Sequence, residues 1–166
     1  VSPTERPSPG GTLRLLRRYE APGEFDPQKA YDQVARELLP CCLLRTLMSY
    51  GEESTGPAGV TPLPDLAAGP PAVSADGLTW TFGLRPGIRY GPPFQSVEVS
   101  ARDVIRALER LACTPCSTGT DTSRFSVIEG FDDFRLKRAR SISGLEAPGP
   151  LTLRVHLVEP VGSLPH

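Results

Sequence analysis

Leu78, Trp80, Phe82 and Leu84 alternate with Thr79, Thr81, Gly83 and Arg85. A period of two puts the first set on one face of a strand and the second on the other. Asp76-Gly77 and Pro86-Gly87 bracket the run with tight-turn chemistry, so residues 74–93 predict a hairpin segment with one buried face. The same alternation returns near the end of the chain, where Leu151, Leu153, Val155 and Leu157 interleave with Thr152, Arg154 and His156. "SISGLE" and the turn "APGP" precede it, which predicts a closing hairpin. Between the two runs the period changes. Val104, Ile105, Leu108 and Leu111 recur at helical spacing, with Ser100 and Asp103 in capping-box register, so a helix starts at Ser100 and turns its stripe to a core.

Elsewhere the pattern is weaker. Leu13 and Leu15 in "GTLRLL" share a face and predict a first strand ending near Tyr19, followed by the loop "EAPGEFDPQKAYD". Val34, Leu38, Cys42, Leu43 and Leu47 predict a helix running from about Asp32 towards residues 49–51. Pro40 falls inside it, and an internal proline costs a helix about 3 kcal/mol, so a kink or break is expected there. Residues 52–73 hold five prolines and no sustained period, which predicts a long connector with a turn of helix at "LPDLAA". Residues 113–124 read as a loop, and "FSVIEGFDDFRLKRA" as a short helix broken near Gly130. Hairpins, helices and room for a parallel crossover together predict a mixed α/β (α+β-like) fold.

Composition sharpens this without changing it. A chain of 166 residues is the size of one domain. Its 19 Pro and 16 Gly predict a loop-heavy molecule, while 39% hydrophobic residues suffice for a folded core. The opening "VSPTERPSPGG" reads as a flexible tether over residues 1–10. It does not read as a secretory leader, and no apolar run approaches the roughly 20 residues of a membrane-spanning helix. A formal charge of −1 provides no general attraction to nucleic acid or to an anionic membrane. The basic clusters Arg17-Arg18 and Lys137-Arg138-Ala139-Arg140 are flanked by acids and read as solvated faces.

Candidate chemistry is sparse. His156 and His166 lack metal-ligand spacing, so no metal is expected. Glu20, Glu24 and Asp26 crowd the first loop without a partner base and read as solvent-facing rather than catalytic. No phosphate-cradling glycine motif occurs, so no nucleotide and no other cofactor is expected, and the chain does not read as an enzyme. The cysteines are Cys41, Cys42, Cys113 and Cys116. A four-thiolate zinc site wants two C-x-x-C knuckles, whereas Cys41 and Cys42 are adjacent. A redox-active C-x-x-C opens a helix, whereas "CTPC" follows the helical segment 100–112. A disulfide between the two clusters, or simply buried thiols, is the favoured reading; a disulfide would imply an oxidising, extracytoplasmic setting.

The order of these pieces is more specific than any one of them. "GGTLRL", "FDP", a helix, "LLRTLMSYG", "PLPDLA", "VSADGLTWTFGLRPGIRYGPP", "VSARDVIRALERL" and "SISGLEAPGPLTLRVHLVEPVGSLP" follow one another from about Gly10 to His166. In that order they resemble the N-terminal part of the family 5 extracellular solute-binding proteins, the peptide- and nickel-type receptors of ABC importers. The resemblance implies part of the first lobe of a type II periplasmic-binding-protein fold over residues 11–166, with a hairpin-containing subdomain at about 52–158. It implies capture of a peptide or similar solute outside the cytoplasmic membrane by a monomeric, lipoprotein-type receptor that docks on an ABC permease.

Such receptors are several hundred residues long, so the resemblance also implies a truncated chain whose second lobe, closing the cleft, lies outside it. Trp80 and Phe82 would be core residues. The segment after "FDP", here Tyr31, Asp32 and Gln33, would approach the ligand: Tyr31 to stack or hydrogen-bond, Asp32 to accept from an ammonium group, Gln33 to bond peptide amides. Equally open is that Asp32 caps the following helix while Tyr31 packs. The rival to transport is a lobe or interaction module without solute binding of its own.

Overall fold

The computed structural model describes residues 10–12, 14, 26–29, 39, 43–50, 57–113, 122–162 and 164. In chain order the elements are strands β1 (Met48–Tyr50), β2 (Pro62–Pro64), β3 (Ala72–Val73) and β4 (Thr79–Gly83), helices α1 (Ala101–Ala112) and α2 (Phe131–Arg135), and strands β5 (Leu145–Gly149) and β6 (Thr152–His156). Short tight helical turns lie at Pro57–Val60 and Ser123–Val127.

The two alternating runs pair with each other. β4 lies antiparallel to β6, with Trp80 opposite Val155 and Phe82 opposite Leu153, in a sheet of order β3-β4-β6-β5. Every named pairing among the described residues is antiparallel, so the anticipated parallel crossover does not occur there. Trp80, Phe82, Leu84, Leu153, Val155 and Leu157 are buried on one face, as the period of two requires, and Ala101, Ala112, Phe131 and Ile142 cover them. Each fully buried large apolar side chain contributes about 1.5–3 kcal/mol, so this layer carries the fold.

α1 packs across β5 and β6 and meets α2. It starts as its cap predicts: the Asp103 carboxylate accepts the Ser100 backbone N–H at 2.7 Å and the Ser100 hydroxyl at 2.8 Å. Val104, Ile105 and Leu108 pack against the core from its inner face. The turn at Asp76-Gly77 joins β3 to β4, with Gly77 at φ +74°, where a side chain is strained. The helical stretch after residue 122 breaks at Gly130, as expected, because Gly130 also takes a left-handed φ of +74°.

Behind β6 the backbone forms a close junction. His156 N–H donates to Gly144 O at 2.7 Å, Gly144 N–H to Glu129 O at 2.8 Å, and Glu129 N–H to His156 O at 3.0 Å. A Cβ on Gly144 would lie 2.7 Å from His156 O and 2.8 Å from Glu129 O, so only glycine fits.

The N-terminal half departs from expectation in three places. Leu44 N–H donates to the carbonyl of Leu39, five residues back, and the chain is extended by Met48, so Leu47 is not helical and Leu43 is exposed. Leu47 still packs on the core from the bend just before β1, which is why its spacing misleads. The connector 52–73 contains two strands, since β2 pairs with β1 and β3 with β4. At "LPDLAA" there is no helical turn: β2 ends at Pro64, and the fully buried Ala67 bridges Leu84. The prolines fit because Asp65 N–H points at Leu47 O (3.2 Å), and by alternation the nitrogens of Pro62 and Pro64 face away from β1. The predicted first strand at Leu13 and Leu15, and Pro40 itself, lie outside the described residues.

Candidate functional site

The loop that carries "FDP" is fastened to the last turns of α1. Arg110 Nη1 donates to Asp26 Oδ1 at 2.9 Å, and Nη2 contacts Oδ2 as an ion pair. Gln28 Nε2 donates to Ala107 O at 2.8 Å. Ala107 and Arg110 are one helical turn apart, so both fasteners come from one edge of the helix. Within the loop, Asp26 Oδ1 accepts Gln28 N–H at 3.2 Å and Asp26 O accepts Lys29 N–H at 3.0 Å, a tight turn closed by its own aspartate.

Asp26 is therefore not the solvent-facing acid that its crowded loop suggested: its side chain is 20% exposed. The Arg110 hydrogen bond holds its carboxyl below the usual carboxylate range. Burial opposes that, while the Gln28 N–H and the charges of Arg110 and Lys29 add to it. Arg110 sits in the last turn of α1, where a cation also complements the helix dipole. Cys113, the residue just past the end of α1, is disulfide-bonded. A bonded Cys113 excludes the simple buried-thiol reading there; Cys41, Cys42 and Cys116 lie outside the described residues.

Tyr31, Asp32 and Gln33 also lie outside the described residues. In sequence they follow the fastened turn, Tyr31 being two residues after Lys29. Sequence reasoning missed Gln28, Ala107 and Arg110. The available signal was Asp26-Pro27, a turn former whose carboxylate needs a cation, together with an arginine in the last turn of the most regular helix.

The polar face of the sheet forms a second cluster. Glu146 Oε2 accepts from Arg154 at 3.1 Å and lies 3.5 Å from His156 Nε2, while His156 Nδ1 is 3.3 Å from Thr79 Oγ1. His156 is half-buried on its strand. Among the described residues no group of three or more His, Cys, Asp or Glu is placed to hold a metal ion, and no helix is long and apolar enough to cross a membrane. The basic run 137–140 is exposed, with Arg138 3.5 Å from Asp133.

Solved structures share this fold. Clavulanic acid biosynthesis oligopeptide binding protein 2 matches 88% of this chain at 30% identity and a TM-score of 0.73, over 26% of its own length. The pheromone receptor PrgZ, solved for its mode of peptide binding, matches 85% at 26% identity and a TM-score of 0.70, again over 26% of its length. Haemophilus influenzae OppA in complex with RPPGFSPFR matches 85% at 26% identity and a TM-score of 0.68, over 26% of its length. The chain thus spans about a quarter of the length of these proteins. Its fold is part of a type II periplasmic-binding-protein fold. Among curated proteins none matches the chain. The family model for bacterial extracellular solute-binding proteins, family 5 (middle part), matches residues 61–166, from the threshold of β2 to the last residue. With most of its length matched, and both alternating runs and the capped helix inside the matched part, the chain belongs to the bacterial extracellular solute-binding proteins of family 5.

Proposed function

We propose that the chain is the peptide-contacting first-lobe portion of a receptor for an ABC importer, working by capture rather than chemistry. The observation that carries this is the family match over residues 61–166, on a fold shared with proteins solved with or for peptides. Tyr31, Asp32 and Gln33 meet the ligand by stacking, by accepting from an ammonium group and by bonding peptide amides. Residues 1–10 act as a tether, residues 11–166 as the lobe, and about 52–158 as its subdomain. The receptor works as a monomer outside the cytoplasmic membrane, held there as a lipoprotein, and passes its solute to a membrane permease.

Calorimetric titration with the nonapeptide RPPGFSPFR tests this. Saturable heat that is lost in a Tyr31→Ala, Asp32→Asn, Gln33→Ala triple variant supports the assignment. No heat, or heat the triple variant retains, overturns it.

A further inference from the structure

We propose that the exposed corner at 135–140 docks on an anionic lipid surface, with Lys137 and Arg140 facing phosphate head groups and Leu136 entering the interface. This surface is independent of the residues assigned to the solute and adds a partner of different chemistry.

In sequence Asp132 and Asp133 stand beside the basic run, and the fold divides the charges among them. Asp132 pairs with Arg135 at 3.0 Å and Asp133 with Arg138 at 3.5 Å. Among the described residues neither Lys137 nor Arg140 meets a carboxylate, so two cations are left over on one corner. The corner projects: residues 136–141 are exposed without a break, between the buried Phe131 and Ile142. It is also ordered. Lys137 N–H donates to Phe134 O at 2.9 Å and Arg138 N–H to Asp133 O at 2.8 Å, the two bonds of a Schellman end to α2. The left-handed position of that motif is usually glycine, and here it holds Lys137 at φ +60°. A lysine kept in a conformation that disfavours side chains points to a use for its ammonium, since glycine would serve the fold better. Leu136, just before it, leaves 47% of its surface in water.

Charge and shape together select the partner. A whole-chain charge of −1 gives no general pull towards an anionic membrane, but a local surplus acts within a Debye length, about 10 Å at 0.1 M salt. A specific protein interface needs on the order of 800 Å² per side around buried anchors. A projecting corner whose one large apolar side chain is Leu136 offers no such centre. Lipid head groups need no fixed shape, because the phosphates move to the cations while an apolar side chain settles at the acyl boundary.

Co-sedimentation of the full chain with sucrose-loaded vesicles tests this, using phosphatidylcholine alone or phosphatidylcholine and phosphatidylglycerol in equal parts. The chain partitions to the mixed vesicles about tenfold or more over phosphatidylcholine alone, an excess that fades at about 0.5 M salt. Lys137→Gln and Arg140→Gln each lower that partitioning about fivefold. Arg102→Gln, which removes an exposed cation on α1, leaves it unchanged. Lys137→Gly separates docking from folding: it relieves the left-handed position, so its Tm is at or above that of the wild type, yet it loses as much binding as Lys137→Gln. Equal partitioning to the two kinds of vesicle overturns the proposal. So does binding that both Lys137 variants retain, or a loss that Arg102→Gln shares in full. If the chain ignores the mixed vesicles but is held by immobilised poly-glutamate through Lys137, the corner serves an acidic protein and the lipid proposal falls.

Discussion

The pair β4–β6 and the pair β1–β2 are both antiparallel, yet different forces hold them. β4 and β6 match over five residues each and bury Trp80, Phe82, Leu153 and Val155 beneath α1. β1 and β2 match over three, and Leu63 and Tyr50 are exposed. The smaller pair touches the core only through the partly buried Met48 and is tied further by polar contacts: Arg45 Nε donates to Asp65 Oδ1 at 2.8 Å and Thr46 N–H to Asp65 Oδ2 at 3.0 Å, while the prolines of β2 turn their nitrogens outward. A sheet held by apolar burial opens with the whole molecule. One held by a side-chain carboxylate at its edge opens by itself.

The largest effect belongs to the apolar pair. Leu153→Ala empties a site with no exposed surface, facing Phe82, and destabilises by about 3 kcal/mol, read as a lowered Tm with all elements melting together. A loss below about 1 kcal/mol would show that the sheet is not the centre of stability. Gly144→Ala comes next, at about 2 kcal/mol, because its Cβ meets backbone oxygens of His156 and Glu129 that no rotamer can relieve. If the Gly144→Ala chain melts like the wild type, the junction behind β6 is looser than its hydrogen bonds imply.

Asp65→Ala should separate the two pairs. It removes the acceptor for Arg45 and for the Thr46 N–H at an exposed edge, an effect of about 1 kcal/mol confined to β1 and β2. Exchange at Met48–Tyr50 should speed up while Trp80 and Val155 keep their protection. Equal loss in both pairs would mean that they form one cooperative unit.

The same contrast decides what could be read from the sequence. β4, β6 and α1 announce themselves because their periods and the Ser100–Asp103 cap are local, and burial then follows the period. β1 and β2 stay hidden. Leu47 packs on the core from a bend as it would have from a helix, so its spacing carries no choice between them. Pro62 and Pro64 look like breakers until the partner strand shows which way their nitrogens point. At the candidate site, "FDP" marks a turn, but its anchor is 84 residues away, and a contact of that separation leaves no local trace.

The smallest effect is the most specific to the site. Arg110 holds the Asp26 carboxyl below the usual carboxylate range, so the native chain takes up that proton less readily than the unfolded chain does. The resulting stability is fully present above the ordinary carboxylate value of about 3.9 and is lost as pH falls through the lower native value. Arg110 is 39% exposed and screened by solvent, so the gain is below about 1 kcal/mol and shrinks with added salt. Tm measured from pH 6 down to pH 2.5 for the wild type and Asp26→Asn should show a gap that narrows below about pH 4. The deficit of Leu153→Ala should stay level across that range, since no proton is involved. If the Asp26→Asn gap is also level, the fork between Asp26 and Arg110 contributes shape without charge, and the turn is held mainly by Gln28 on the Ala107 carbonyl.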